Sequence, residues 1–139
     1  DIYEIEKSDR RHLIEKYADA FELTSNLGDS ISSYSHGMKQ KLAIISALIH
    51  NPKLLVLDEP FVGLDPKAAH TLKGIMAQMC KNGSAIFFST HVLEVAEKLC
   101  NRIGIIKNGK LVAYGPTQEV TGDSSLEDVF MELVEAKQP

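Results

Sequence analysis

Four apolar residues at positions 54–57 are followed by two adjacent carboxylates, Asp58 and Glu59. A proline stands two residues before the run, at position 52. An apolar run this short, bounded by a proline and by charge, is typical of a strand covered on both faces in a parallel sheet. Proteins with such sheets bind their ligands at the carboxyl ends of the strands. The run therefore predicts a buried strand that delivers two carboxylates to a ligand-binding edge.

Helices and strands alternate after this run. A helical pattern begins with Asp65 as N-cap and a proline at the first helical position, and an Asn-Gly pair at positions 82–83 ends it. Residues 85–89 are predicted as a second buried strand, and residues 92–99 as a further helix. Strand, helix, strand, helix in this order indicates an α/β fold with a right-handed parallel sheet.

Further elements are predicted on either side of this part. An amphipathic helix over residues 8–21 precedes a helix over residues 35–49 that is apolar nearly all round, so we expect the second one to be buried. Two apolar runs flank the Asn-Gly pair at positions 108–109, which predicts an antiparallel hairpin. Ser124 and Glu127 have the spacing of a capping box before a final amphipathic helix.

Composition limits the partners of the chain. Its 139 residues carry 44% hydrophobic and 24% charged side chains, enough for one globular domain or a large piece of one. A net charge of -4 gives no general attraction to nucleic acid or anionic lipid. Cys80 and Cys100 lack metal-ligand spacing and favour a reduced intracellular chain, with a single disulfide as the alternative. No apolar run reaches the roughly 18 residues of a membrane-spanning helix, and no secretion leader is recognised at the start.

The two carboxylates suit phosphoryl transfer. One carboxylate can help to hold Mg²⁺, a hard cation that prefers oxygen ligands, while the other orients or deprotonates the water that attacks the γ-phosphate. The alternative is that Asp58 and Glu59 are a solvated strand end before Pro60. For an acidic pair on its own this alternative is the more common case, so the surrounding segments decide.

Four segments together resemble the motifs of the ABC-type ATPases. They are a Walker B strand in LLVLDEP at 54–60, a D-loop in GLDP at 63–66, an ABC signature in YSHGMKQKL at 34–42 and a switch-histidine segment in FFSTH at 87–91. Four motifs in the order and spacing of one family are very specific. The resemblance extends over about residues 9–135. It implies a partial P-loop NTPase fold, with the end of a helical subdomain in residues 1–50 and the C-terminal part of the ATPase core in residues 51–139.

The resemblance also implies roles for individual residues. Asp58 becomes the partner of Mg²⁺, which it contacts through water, and Glu59 becomes the base that polarises the attacking water. His91 becomes the sensor of the γ-phosphate, its alternative being a hydrogen-bonded histidine at a helix start. Asp65 would contact the other subunit of a dimer in addition to capping its helix.

The signature segment has a physical basis of its own. Ser35 and Gly37 stand at the predicted start of the second helix, where unpaired N–H groups and the helix dipole attract an anion. In the family, this end contacts the γ-phosphate of ATP bound by the other subunit, with the Ser35 hydroxyl and the Gly37 N–H as donors. The alternative for Ser35 is a simple N-cap. The segment departs from the usual LSGGQ at Tyr34, His36 and Met38, and in this form it resembles a branch associated with drug, bacteriocin or polysaccharide export.

A phosphate-cradling loop of the form GxxxxGK followed by Ser or Thr is absent from the 139 residues. The nearest match, at 104–110, is followed by Leu111 and lies in the predicted hairpin. We therefore expect the chain by itself neither to bind ATP with normal affinity nor to hydrolyse it. Buried strands without their neighbours would expose apolar surface, so we also expect self-association, against which a clean monomer in light scattering would count.

The function that the resemblance implies is an ATP-binding and ATP-hydrolysing subunit that uses Mg²⁺. It would form an ATP-sandwich dimer with a second ATPase subunit and power a separate membrane permease, as an exporter, from the cytoplasmic face of the membrane. One alternative is a non-transport ABC ATPase of the DNA-repair or chromosome type, but the helix at 8–21 shows no heptads of a long coiled coil. The other is a regulatory interaction module without catalysis. The retained Glu59 and His91 argue against it, but the absent phosphate-cradling loop leaves it open.

Overall fold

The computed structural model describes residues 5–135, and the chain forms two compact units that divide after Ser89. The first unit contains α1 (Lys7–Ala20), two short 3-10 helices (Thr24–Asn26 and Ile31–Ser33), α2 (His36–Leu48), β1 (Leu54–Asp58), α3 (Pro66–Lys81) and β2 (Ala85–Ser89). The second contains α4 (Leu93–Leu99), β3 (Arg102–Lys107), β4 (Lys110–Pro116), α5 (Thr117–Thr121) and α6 (Leu126–Glu135). The predicted α/β fold is confirmed. The predicted division at residue 50, between the end of a helical subdomain and the ATPase core, stays a prediction.

The core of the first unit lies between α2, α3 and β1. Its buried apolar side chains include Phe21, Leu23, Ile44, Ile45, Leu48, Leu55, Leu72, Met76 and Met79. The expectation that α2 is buried is correct for the face with Ile44, Ile45 and Leu48 and wrong for the opposite face, where Ala43 and Ser46 are exposed. The helix packs one face on the core, and small side chains on its opposite face are tolerated in water.

Strands β1 and β2 pair in parallel, with Leu54 opposite Ala85 and Asp58 opposite Ser89. The face with Leu55 is packed, since this side chain is only 4% exposed. On the other face Val56 is 64% and Phe87 68% exposed, so the expectation of coverage on both faces is wrong for residues 5–89. The core-facing side chains Leu55, Leu57, Ile86 and Phe88 alternate with exposed ones along the two strands, so the core lies on one face of the pair. The expected self-association stays a prediction.

Helix α3 has the ends that its sequence predicts. The Asp65 side chain accepts the Ala68 N–H at 2.8 Å, and Pro66 occupies the first turn. At the other end, Gly83 has a φ of 91°, a left-handed conformation that glycine adopts without steric cost. The Ser84 hydroxyl then donates to the Pro52 carbonyl at 2.9 Å, which ties the entrances of β2 and β1 together.

The second unit is built on the predicted hairpin. β3 and β4 are antiparallel, and Asn108 and Gly109 between them have positive φ values of 50° and 75°. Such a pair of left-handed residues is what a two-residue hairpin turn requires. Ile103 and Ile105 are buried against Leu126 of α6.

Helix α6 is capped one residue later than predicted. The Asp128 N–H donates to Ser125 Oγ at 3.1 Å, and the Ser125 N–H donates to Asp128 Oδ2 at 3.3 Å. This reciprocal pair is a capping box in which an aspartate takes the place of the usual glutamate. The prediction of Ser124 and Glu127 is therefore wrong by one position, because α6 begins at Leu126 and its N-cap is the residue just before it.

The capping box predicts a difference between two neighbouring serines. Ser125→Ala should lower the free energy of unfolding of the second unit by about 1 kcal/mol, because an N-terminal N–H of α6 loses its acceptor. Ser124→Ala, at an exposed position outside the box, is the matched control and should leave stability unchanged. Urea denaturation measures both, and equal effects of the two substitutions would contradict the observed capping.

No helix between residues 5 and 135 is long and apolar enough to cross a membrane. Cys80 and Cys100 are free thiols, the first exposed and the second half-buried. Burial raises the pKa of the Cys100 thiol above its usual value.

Candidate functional site

The two carboxylates stand at the carboxyl edge of the parallel strands, as predicted. Asp58 is the last residue of β1, and the Ser89 hydroxyl at the end of β2 donates a hydrogen bond to its carboxylate. The Glu59 N–H in turn donates to the Ser89 carbonyl at 3.1 Å and lies 3.2 Å from its hydroxyl oxygen. Ser89 therefore fixes both acidic residues at the edge of the sheet.

Glu59 has an unusual backbone conformation. Its φ is 47°, in the left-handed region that non-glycine residues seldom occupy. Such a conformation costs of order 1–3 kcal/mol and persists where surrounding contacts hold it, commonly at functional sites. The contacts with Ser89 hold it in this chain, and the chain turns directly after the strand, since the Val62 N–H donates to the Glu59 carbonyl at 3.2 Å. Asp58 remains exposed, while Glu59 is half-buried.

Ser89 is a site residue that the sequence reasoning missed. The motif that contains it points to His91 and marks no role for the serine. The usable signal is its position, because parallel strands of equal length place their last residues side by side. A hydroxyl at the end of one strand is then in reach of a carboxylate at the end of its neighbour.

The signature residues lie at the start of α2. Ser35 is the N-cap, and its side chain accepts the Met38 N–H at 3.2 Å, so the N-cap interpretation is confirmed. Ser35 and His36 are exposed, and Gly37 is half-buried. The first N–H groups of a helix lie outside its internal hydrogen-bond ladder, so this exposed end can receive an anion. The predicted contact of Ser35 and Gly37 with a γ-phosphate stays a prediction.

Two glycines allow the start of α2 to approach the loop after β1. A Cβ atom on Gly37 would lie 2.7 Å from the carbonyl oxygen of Gly63, closer than real Cβ contacts come. Gly63 has a φ of 80°, and a Cβ atom there would lie 2.7 Å from the His36 ring. The start of α2 and the GLDP segment at 63–66 are therefore in direct contact, and the two glycines permit this close approach.

Asp65 ends this loop and caps α3. Its pKa lies below the ordinary range, first because the Ala68 N–H donates to the carboxylate and also because of the nearby Lys41 ammonium. The Lys41 Nζ and Asp65 Oδ2 atoms are 3.6 Å apart. The N-cap interpretation of Asp65 is confirmed, and its predicted contact across a dimer stays a prediction.

The lowered pKa of Asp65 predicts a pH-dependent contribution to stability. A carboxylate with a depressed folded-state pKa stabilises the fold above its unfolded pKa and loses that effect as the pH falls through the folded value. Asp65→Asn keeps a good N-cap but cannot titrate. The stability advantage of the unsubstituted chain over Asp65→Asn should therefore shrink as the pH falls below about 4. Urea midpoints measured from neutral to acidic pH test this, and a difference that stays constant would refute it.

His91 belongs to the second unit, where it lies exposed in a bend just before α4. The structure thus brings Asp58 and Glu59 together with Ser89, and Gly37 together with Gly63. His91 lies in the other unit, and its predicted role as phosphate sensor stays a prediction.

Asp58 offers a carboxylate for a magnesium ion at the edge of the sheet. Among the residues that the structure describes, no group of three or more His, Cys, Asp or Glu side chains could hold a metal. Mg²⁺ is usually bound by one or two carboxylates, and its remaining ligands are water and substrate phosphates. Asp58, exposed at the sheet edge and oriented by Ser89, fits the place of one such ligand.

Comparison with known proteins defines the class first. The family model described as "AAA domain, putative AbiEii toxin, Type IV TA system" matches residues 5–97, so this part of the chain belongs to that family. A solved structure titled as the ATP-binding subunit of an ABC transporter superposes with a TM-score of 0.88 at 32% identity, over 94% of this chain and 57% of that one. The ADP conformation of MJ1267, an ATP-binding cassette, superposes with a TM-score of 0.65 at 21% identity and supports the fold alone.

Curated relatives define the family within this class. The linearmycin resistance ATP-binding protein LnrL of Bacillus subtilis (strain 168) is 40% identical over 93 residues, 67% of this chain and 30% of its own length. The ABC-type transporter ATP-binding protein EcsA of the same organism is 39% identical over 105 residues, 72% of this chain and 42% of its own length. The chain belongs to the family of ABC transporter ATP-binding proteins. It spans less than half the length of these two relatives.

Proposed function

We propose that this chain works as part of an ATP-hydrolysing subunit that powers export through a separate membrane permease. One observation carries the proposal: Asp58 and Glu59 are held together by Ser89 at the carboxyl edge of the parallel strands of an ABC-type fold. The named relatives support it, since LnrL is a resistance ATP-binding protein and EcsA a transporter ATP-binding protein. On this proposal the protein lies at the cytoplasmic face of the membrane, bound through the permease.

ATP would supply the transferred phosphoryl group, and Mg²⁺ would neutralise charge on its phosphates. Asp58 would hold the ion from the sheet edge, with the Ser89 hydroxyl keeping its carboxylate in place. Glu59 would orient the attacking water and accept its proton, which requires a carboxylate beside the nucleotide. His91 would donate a hydrogen bond to the terminal phosphate.

A second subunit completes this arrangement. Ser35 and Gly37 would donate to the γ-phosphate of a nucleotide held by the partner subunit, because a helix N-terminus presents N–H groups and a positive dipole end. Asp65 would contact the partner from the adjoining loop. Two such subunits would close around two ATP molecules.

The test uses the longest protein that the gene encodes, purified with any permease that is encoded beside it. Hydrolysis of Mg²⁺-ATP should depend on the full-length subunit and rise when the permease is present in a membrane. The 139-residue chain alone should show no turnover, because it has no phosphate-binding loop. Turnover by that chain alone, or failure of the full-length protein to bind ATP, would overturn the proposal.

A further inference from the structure

Four residues on the first two turns of α2 contact the loop between β1 and α3. His36 and Gly37 approach Gly63, and one turn later Gln40 and Lys41 reach the same loop. Positions 36 and 40 are four residues apart, and so are positions 37 and 41. The four residues therefore lie on one face of the helix. This face is turned to residues 60–65, which we call the 60–65 loop.

Gln40 and Lys41 contact the two ends of the 60–65 loop. Gln40 Nε2 donates to the Pro60 carbonyl at 3.2 Å, directly after Glu59. Lys41 Nζ lies 3.6 Å from Asp65 Oδ2, at the N-cap of α3. The Lys41 side chain is only 13% exposed, so its long stem is packed while its charge reaches the aspartate. One helix face therefore holds both the start and the end of the loop.

These two side chains do not supply the main packing of the helix. The buried residues of α2 are Ile44, Ile45 and Leu48, one turn further along. Gln40 and Lys41 are polar, and what their contacts determine is where the N-terminal turn sits relative to the loop. Ser35 and Gly37 lie on that turn, and Asp65 lies in the loop that it contacts.

We propose that Gln40 and Lys41 are positioning residues that anchor the start of α2 to the 60–65 loop, so that Ser35, Gly37 and Asp65 meet the partner subunit as one rigid surface. The proposal rests on the function proposed above. It goes beyond that function because it assigns a role to two residues that are not proposed to contact the nucleotide. Loss of the anchor should impair closure of the dimer without impairing the binding of ATP to a single subunit.

The variants are Gln40→Ala and Lys41→Met in the full-length protein. Lys81→Met is the control, since Lys81 is an exposed lysine in the last turn of α3 and lies outside the signature segment and the 60–65 loop. Lys41→Arg is the conservative variant and should restore most of the loss, because it keeps the charge. A thermal melt of each variant records any general loss of stability.

The first readout is amide hydrogen exchange without nucleotide, which does not depend on the proposed function. Exchange in the 60–65 loop and in the first turn of α2 should rise in Gln40→Ala and Lys41→Met, and stay unchanged in Lys81→Met. The second readout separates assembly from binding. ATP-driven dimerisation should weaken by a few fold to about tenfold in Gln40→Ala, which loses one hydrogen bond. The loss in Lys41→Met should be up to about fivefold, because its partner Asp65 is exposed to solvent. The affinity of the monomer for ATP should stay within about twofold.

Equal exchange and equal dimerisation in Lys41→Met and Lys81→Met would overturn the proposal. A parallel loss of monomer ATP affinity and melting temperature would also overturn it, since that is the result of a merely structural role. Absence of ATP-driven assembly in the unsubstituted protein would refute the proposed function and the positioning role with it. Unequal exchange would then still show that the two side chains anchor the loop.

Discussion

Glu59→Gln in the full-length protein should lower the rate of ATP hydrolysis by about 10²- to 10⁴-fold, the usual contribution of a general base. Glutamine keeps the size of the side chain but cannot accept the proton of the attacking water. ATP should still bind, so the variant should accumulate as an ATP-bound dimer. Turnover assays measure the first effect, and light scattering with and without ATP measures the second.

Glu59→Gln tests the side chain alone, because it should leave the backbone conformation of residue 59 unchanged. The left-handed conformation of residue 59 is held through its own N–H, which donates to Ser89 whichever of the two side chains is present. Glu15→Gln, at an exposed position of α1, is the control and should leave the rate unchanged. Activity of Glu59→Gln within about tenfold of the unsubstituted protein would remove Glu59 from the role of base.

Leu72→Ala should lower the free energy of unfolding of the first unit by about 2–5 kcal/mol. Leu72 is 0% exposed and lies in the core cluster with α2 and β1, so its truncation leaves a cavity there. Urea denaturation of the purified chain gives the loss from the shift in midpoint.

A second substitution on the same helix should act in the opposite direction. Gly74 is exposed, and a Cβ atom added there meets no atom within 4 Å. Gly74→Ala should therefore stabilise α3 by up to about 1 kcal/mol through helix propensity.

A loss of less than about 1 kcal/mol in Leu72→Ala would contradict the position of Leu72 at the centre of a packed core.

Local patterns predicted the elements that depend on local chemistry. The Asn-Gly pair at 108–109 fixes a hairpin because both residues adopt positive φ, and Asp65 with Pro66 fixes the start of α3. The carboxyl edge with Asp58 and Glu59 followed from strand order alone, since parallel strands bring their ends to one edge.

Other features depend on what lies next to each element in space. The run at 54–57 is apolar at every position, so its pattern cannot tell whether one face or both are covered, and one is exposed in the described part of the chain. At α6, adjacent serines precede adjacent acids, so both capping registers fit the spacing. Ser89, Gln40 and Lys41 act through partners 20 to 31 residues away, and no local pattern marks them.

The most direct measurement is a structure of the full-length Glu59→Gln protein with ATP and Mg²⁺. Ser35 and Gly37 of one subunit should donate to the γ-phosphate of ATP bound by the other, and Asp58 and residue 59 should lie beside the nucleotide of their own subunit. A nucleotide that lies away from the edge formed by Asp58 and Ser89, or a start of α2 that contacts no nucleotide, would contradict the proposed ATPase site.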